Sequence, residues 1–555
     1  MVERIGKLFA SKVSSLHTAA YIMGAFTIVS SLLALVRDRL LASSFGAGSE
    51  LDMYYAAFRI PDLLFVSVGS LVSVSVLIPL LAKREKEAVD GGEAFELSKA
   101  TTFFAVIISV SSVLLFVVLP YVVPVVFIGF DMELQGEVVR LSRWLLLSPI
   151  ILGFSNVFGS VTQLQNRFVL YALSPVLYNV GIIIGIIFLA PLSGITGVVY
   201  GVIIGALLHL LPQALYVYKV KLWPRIVRIS WVYAKSLAAL SASRTIALSL
   251  SHLVLLLLVA IASSLAAGTI AVFTFSYNLQ SVFVGVIGVS YSLAAFSALS
   301  KLVADNDWDE YKRELTSSFR QLLFWSIPAA VLLIILRAQI VRTVLGGGMF
   351  SWADTRLTAA ALAIFAIATI FQSASLLFTR AFYAQGETKK PLIAHVTGSG
   401  IAIILGVLFL RMSPEGFLET MSYLLKITDL DPHVLLLPTA FAIGSLVTVI
   451  LLAIPLFVKK LVGVSLRFVA EVVGGSLTMG AVAYIGLIIF EPLLGTDTLV
   501  GIFSQGLFAG LLGIMSGIGF LWVIGNTDVR DAIFFLTPKR EKVDLPATDV
   551  SEMAP

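Results

Sequence analysis

Long, unbroken runs of apolar residues recur from about residue 18 to residue 525, divided by short polar stretches. Each run can cross a hydrocarbon core of about 30 Å at about 1.5 Å per helical residue. Fourteen spans are expected, at 18–41, 53–82, 101–127, 140–163, 169–190, 194–217, 236–264, 269–299, 316–338, 357–384, 391–411, 434–458, 467–490 and 499–524. Several exceed the minimum length, which allows tilt or a kink. A closed β-barrel would also satisfy backbone groups in lipid, but it is built from segments of alternating polarity, and these runs are continuous. The pattern predicts an all-α polytopic membrane protein of about fourteen helices.

The polar connections orient the chain, because Lys and Arg are retained on the cytoplasmic side. Basic residues collect before the first span (Arg4, Lys7, Lys12) and in the even-numbered connections. Those are Lys83, Arg84, Lys86 and Lys99; Arg167; Lys219, Lys221, Arg225 and Arg228; Lys301, Lys312 and Arg313; Lys389 and Lys390; Lys459 and Lys460. Connections 191–193, 265–268 and 491–498 hold no Lys or Arg. Both termini are therefore expected in the cytoplasm, with Arg337, Arg342 and Arg356 as exceptions on an outward connection. Residues 1–17 read as an interfacial amphipathic segment and 526–555 as a polar cytoplasmic tail. The basic stretch 218–235 divides an N-terminal lobe (18–217) from 236–411, which is followed by an extracytoplasmic loop at 412–433 and the last spans at 434–525. Two pseudo-symmetric lobes around a central cavity are a common transporter plan.

Composition agrees with the pattern: 58% of residues are apolar and 13% charged, against about 25% charged in a soluble domain. The net charge of +5 follows from the retained basic rim and implies no nucleic-acid partner. The absence of cysteine excludes disulfides, thiolate metal sites and Cys nucleophiles. The first apolar stretch is too long for a cleavable signal and runs into Arg37-Asp38-Arg39. No Walker loop, His-Glu-x-x-His or Gly-x-Ser-x-Gly is present, and His17, His209, His252, His395 and His433 lack metal-ligand spacing. Neither an enzyme nor a bound cofactor or metal is expected.

Candidate chemistry lies in charges within or at the mouths of spans. Such a group costs about 2.5–3.5 kcal/mol near the bilayer centre on insertion scales and usually faces a cavity or a partner. The candidates are Arg37 and Asp38 at the end of the first span, and Asp52 and Arg59 in the second. Asp52 and Arg59 are two turns apart and share a helix face, and Asp62 is close enough to Arg59 to pair with it. The plainer reading is a set of interfacial charges that snorkel and pair among themselves, and it suits Arg39 and Asp62. Arg244 either serves the cavity or snorkels, and Arg380 reads as an anchor.

Four stretches resemble the MurJ/MviN lipid II flippases of the multidrug/oligosaccharidyl-lipid/polysaccharide exporter superfamily. They are Val36-Arg-Asp-Arg-Leu-Leu-Ala-Ser-Ser-Phe-Gly-Ala-Gly48 with Asp52 and Ala57-Phe-Arg-Ile-Pro-Asp-Leu-Leu64; Leu164-Gln-Asn-Arg-Phe168 with Ser174-Pro-Val-Leu-Tyr-Asn179; His209-Leu-Leu-Pro-Gln213; and Arg380-Ala-Phe-Tyr-Ala-Gln-Gly-Glu-Thr-Lys-Lys-Pro391. The resemblance implies an alternating-access flippase in the bacterial cytoplasmic membrane. Undecaprenyl-diphosphate-linked peptidoglycan precursor would be its substrate and cell-wall synthesis enzymes its possible partners. A cationic cavity would hold the diphosphate while the lipid tail stays near a groove of spans thirteen and fourteen. By motif, Arg37, Asp38 and Asp52 match positions important in the family, and Arg59 a basic position beside them. The sequence also departs from that pattern. Ser31 stands where the family has an arginine, Phe65 and Val66 stand where it has two, Gly69-Ser-Leu-Val72 replaces Ala-Glu-Gly-Ala, and Asn278 falls on an arginine of span eight. Asn278 and Arg244 complete the expected substrate-binding set, with Arg244 as a partial replacement for the absent arginines. Alternatives left open are an exporter of another polyprenyl-linked oligosaccharide, a cation-coupled exporter of small amphipathic molecules, and a non-transporting scaffold. With no nucleotide motif, energy is expected from a membrane potential or an ion gradient.

Overall fold

In lipid, backbone groups with no water to bond must pair within their own segment. The computed structural model describes residues 16–69, 71, 77, 78, 81, 92–495 and 497–529, and these form long helices with no β-strand among them. In chain order they are α1 (Leu16–Phe45), α2 (Ser49–Gly69), α3 (Gly92–Val126), α4 (Met132–Leu145), α5 (Leu147–Leu164), α6 (Phe168–Ile184) and α7 (Ile195–Lys219). After them come α8 (Trp231–Ala262), α9 (Thr269–Phe283), α10 (Ser290–Ala304), α11 (Trp308–Ile335), α12 (Arg337–Leu345) and α13 (Trp352–Ala384). The last are α14 (Lys389–Met412), α15 (Glu415–Leu425), α16 (Leu436–Val458), α17 (Leu466–Leu494) and α18 (Leu499–Val523).

Eleven helical segments among the described residues are long and apolar enough to cross a membrane. Helices α1, α2 and α8 occupy the positions of the first, second and seventh expected spans. Helix α4 is joined to α5 through Leu146 as one crossing, Met132–Leu164. Two crossings contain a π-helical turn: Gly185–Leu189 after α6 and Val284–Val289 between α9 and α10. Such turns often mark functional positions in a helix.

Two short helices, α12 and α15, are additions to the apolar pattern, because each is too short to cross. Arg337, Arg342 and Arg356, the exceptions to the charge pattern, lie in or beside them. Arg342 donates to the Phe350 carbonyl at 3.1 Å and stacks over Trp352. Arg356 bridges to Asp429 at 2.8 Å and to the Lys426 carbonyl, tying the loop after α15 to the start of α13. Arg337 donates to the Ile334 carbonyl at 2.7 Å. These arginines hold a surface together.

At the ends of the chain, only the start of the C-terminal tail can be compared with expectation. The amphipathic segment expected at 1–17 lies outside the described residues except for Leu16 and His17, the first two residues of α1. The tail expected from 526 begins as a docked turn: Asn526 donates to Glu471 at 2.8 Å and Arg320 to Asp528 at 2.8 Å. Residues 530–555 are outside the described set. The linker after α7 is strapped onto α3, with the Arg225 and Val227 amides donating to Ser98 and Thr102 at 3.0 and 3.2 Å.

Helix α6 packs on α1 and α7, α13 on α9, α11 and α16, and α17 on α18 and α11. Helices α6 and α7 cross backbone to backbone, because Gly181 and Gly185 face Gly205 and Gly201, and a Cβ on any of them would strike main-chain atoms. Small residues permit such close crossings in membranes. Gly205→Leu should force the helices apart and cost about 1–3 kcal/mol of stability or more. An unchanged thermal midpoint for the solubilised variant would contradict this crossing.

Candidate functional site

Three consecutive residues about two turns before the end of α1, Arg37 to Arg39, point in different directions, because successive helical positions are about 100° apart. Arg37 and Asp38 face α6 and α9. Arg39 turns the other way and donates to the Thr343 carbonyl at the end of α12 at 2.7 Å, a structural clamp.

Asp38 is buried, at 3% exposure, and sits at the centre of the cluster. Its Oδ1 accepts from Arg37 Nε at 2.9 Å and from a terminal guanidinium nitrogen at 2.8 Å, and its Oδ2 accepts from Asn278 Nδ2 at 3.0 Å. The other terminal nitrogen of Arg37 donates to Asn179 Oδ1 at 3.3 Å. Asn179 donates in turn to the Ser30 hydroxyl at 3.2 Å. One residue from α6 and one from α9 are thereby tied to the last turns of α1. Two of the five guanidinium N–H groups of Arg37 remain uncommitted after these three bonds. The Arg37 side chain is 22% exposed and so can meet a ligand.

Arg59 is placed differently. It reaches α9 through a long contact to the Thr274 hydroxyl at 3.4 Å, and its Nε is buried with no partner among the described residues. Thr274 and Asn278 are one turn apart on the same face of α9, about 6 Å of rise. That face therefore receives Arg59 from α2 and Asp38 from α1. A guanidinium this poorly satisfied inside a membrane protein is a ready partner for an anion.

Asp52 is two turns before Arg59 and meets the same helix, so the shared face expected for these residues lies against α9 and the loop before it. Its two oxygens accept the Gly268 and Ala271 amides at 2.6 and 2.8 Å. A carboxylate on the free amides of a helix N-terminus is a stabilising cap. Gly268 makes the geometry possible with φ +90, and a Cβ there would collide with the Ala47 carbonyl. Asp52 fastens the α1–α2 turn to the start of α9, and both its oxygens are occupied. Asp62 faces His252 at 3.8 Å, and it is also close enough to Arg59 for the two charges to act on each other.

Sequence reasoning thus located Arg37, Asp38, Arg59 and Asn278, which converge on the face of α9, and Asp52 just before it. Arg244 lies in α8, and its side chain is outside the described residues. Asn179, Ser30 and Thr274 were not singled out as site residues. An Asn deep within an apolar span was the available signal, because an amide in hydrocarbon needs a partner. A second polar set also escaped notice: Gln280 accepts from Thr369 and Gln372 at 3.0 and 3.1 Å, joining α9 to α13.

The family model described as lipid II flippase MurJ matches residues 41–419. The chain is 28% identical over 502 residues to the probable lipid II flippase MurJ of Thermotoga maritima, covering 90% of this chain and 96% of that one. Among solved structures, it resembles a lipid II flippase MurJ in an inward closed conformation, with TM-score 0.73 and 23% identity over 92% of this chain and 100% of that one. An inward-facing multidrug resistance MATE family transporter of the MOP superfamily matches with TM-score 0.62 and 15% identity over 80% of this chain and 98% of that one.

Proposed function

This chain belongs to the lipid II flippase MurJ family, and from that premise we propose that it moves lipid II, the undecaprenyl-diphosphate-linked peptidoglycan precursor, from the inner to the outer leaflet of the bacterial cytoplasmic membrane. The observation that carries the substrate is the family match over residues 41–419. The Arg37–Asp38–Asn278 cluster supports the place where the headgroup is held. A diphosphate needs donors rather than a diffuse charge, and a guanidinium offers planar, paired ones. Arg37 would use its two free N–H groups, and Arg59 its under-partnered ones. Asp38 and Asn179 would orient Arg37, and Asp52 would act as a joint.

The lobes read from the sequence, divided at 218–235, would rock about this cluster, with both termini cytoplasmic. The tie from α1 to both α6 and α9 suits such a hinge, because breaking the Asp38–Asn278 bond uncouples elements assigned to the two lobes. The bilayer and cell-wall synthesis enzymes would be its partners, and the chain would transform no substrate chemically. Movement would draw on a membrane potential or an ion gradient, and a potential contributes about 2.3 kcal/mol per charge per 100 mV.

One set of residues favours a second reading, export of another polyprenyl-linked oligosaccharide. Ser31, Phe65, Val66 and Asn278 stand where the family resemblance expects arginines, and Asn278 already serves Asp38. Binding of lipid II to the purified protein, compared with an undecaprenyl diphosphate carrying neutral sugars, separates the two. Selective retention of lipid II is expected. Equal retention of both would favour the broader exporter, and retention of neither would overturn both readings.

A further inference from the structure

Away from the cluster, α3 and α4 part to leave a groove of about 740 Å³. Its walls are mainly apolar, and its outer edges are exposed, with Phe116 48% and Trp144 43% accessible. Two features interrupt the apolar lining. Arg143 sits at the mouth, donating from Nε to the Phe116 carbonyl at 3.1 Å and stacking over the Phe116 ring at 4.5 Å. Its terminal nitrogens have no partner among the described residues. Deeper in the groove, the Ser112 hydroxyl is buried, at 6% exposure, and is also without a partner. Arg140 beside them is committed to Glu137 and to Thr196, both through a terminal nitrogen, the latter at 2.9 Å.

The depth of these groups identifies the ligand. From Lys99 to Phe116, α3 rises about 25 Å, and from Arg143 to Arg167 the chain rises about 35 Å. Lys99 and Arg167 mark the basic end of the bundle, and the hydrocarbon core is about 30 Å thick. Arg143 therefore lies at the opposite membrane boundary, where lipid phosphates sit, and Ser112 lies about one turn, some 6 Å, deeper, at the level of the ester groups. A zwitterionic headgroup brings its own cation beside its phosphate, and that cation repels Arg143, whereas a phosphodiester with a net negative charge matches the free donors of Arg143 without that penalty.

We propose that this groove is a binding site for an anionic glycerophospholipid of the leaflet at that boundary. The phosphate is held by Arg143, an ester carbonyl accepts the Ser112 hydroxyl, and one acyl chain runs along the groove toward Ile150. This site is separate from the Arg37 cluster and does not rest on the identity of the transported lipid.

Native mass spectrometry of the full-length protein, delipidated and then given phosphatidylglycerol or phosphatidylcholine of the same chains, tests it. Wild type should retain phosphatidylglycerol about tenfold more tightly than phosphatidylcholine. Arg143→Ala should lose that preference, and Ser112→Phe, which fills the groove, should reduce retention of both lipids at this site. The helical signal and thermal midpoint of each variant report whether it has folded. Lipid II binding by Arg143→Ala should be unchanged, which keeps this test apart from that of the central cluster. Equal retention of the two lipids by wild type, or an undiminished preference in folded Arg143→Ala, would overturn the proposal. So would a preference at this groove for undecaprenyl phosphate over phosphatidylglycerol.

Discussion

Arg37→Ala is expected to weaken binding of lipid II by about 10- to 100-fold, because hydrogen bonds to a charged group are worth about 1.5–3 kcal/mol and each 1.4 kcal/mol is tenfold. The upper part of that range is favoured by what the substitution leaves behind. Asp38 keeps its charge and its bond to Asn278 but loses both bonds from Arg37, so the diphosphate would face a carboxylate where it had faced a guanidinium. Arg37→Lys should recover part of the loss. An ammonium restores charge, but it cannot pair with Asp38 through two nitrogens and still present a fork to phosphate. Titration of the purified variants with lipid II at fixed salt measures this, and an unchanged affinity for the alanine variant would remove Arg37 from the binding site.

Asp38→Ala should be the most damaging substitution to the fold itself. The side chain is 4% exposed, and its loss would strand the Arg37 guanidinium and the Asn278 amide together. Removing one partner of a buried ion pair costs about 3–5 kcal/mol, because the remaining charge is uncompensated. Asp38→Asn should cost less, since the amide still accepts from Asn278 or Arg37, and the difference between the two variants isolates the charge. Thermal unfolding in detergent provides the comparison. A midpoint for Asp38→Ala within a degree or two of wild type would mean that the cluster is not a joint between α1 and α9.

How much could be read in advance differed by element. The crossings were legible because the bilayer demands continuous apolar helices, so length alone carries the signal. α12 and α15 left no such trace, since helices of nine and eleven residues look like connections. The arginines near them, Arg342 and Arg356, serve local carbonyls and Asp429, and a rule that counts charges cannot see a partner. At the site, Arg37, Asp38 and Arg59 announced themselves as charges in apolar surroundings. Asp52 announced itself equally, and its role as a helix cap depends on Gly268, more than two hundred residues along the chain. Asn179 and Thr274 were quiet because neutral polar side chains are tolerated in spans for packing alone. Only the crossing of α1, α6 and α9 distinguishes a cluster from scattered polar residues.

Lipid II carried across the bilayer by this protein, with Arg37 holding the headgroup, has a direct kinetic consequence. The most direct measurement is the rate at which lipid II placed on one leaflet of proteoliposomes becomes accessible to an impermeant enzyme that modifies its headgroup from the other side. Wild-type protein should accelerate this transfer well above empty liposomes, and folded Arg37→Ala should return it to the empty-liposome rate. Wild-type protein that leaves the rate at the empty-liposome level would contradict the transport claim, and Arg37→Ala that transfers as fast as wild type would contradict the role given to Arg37.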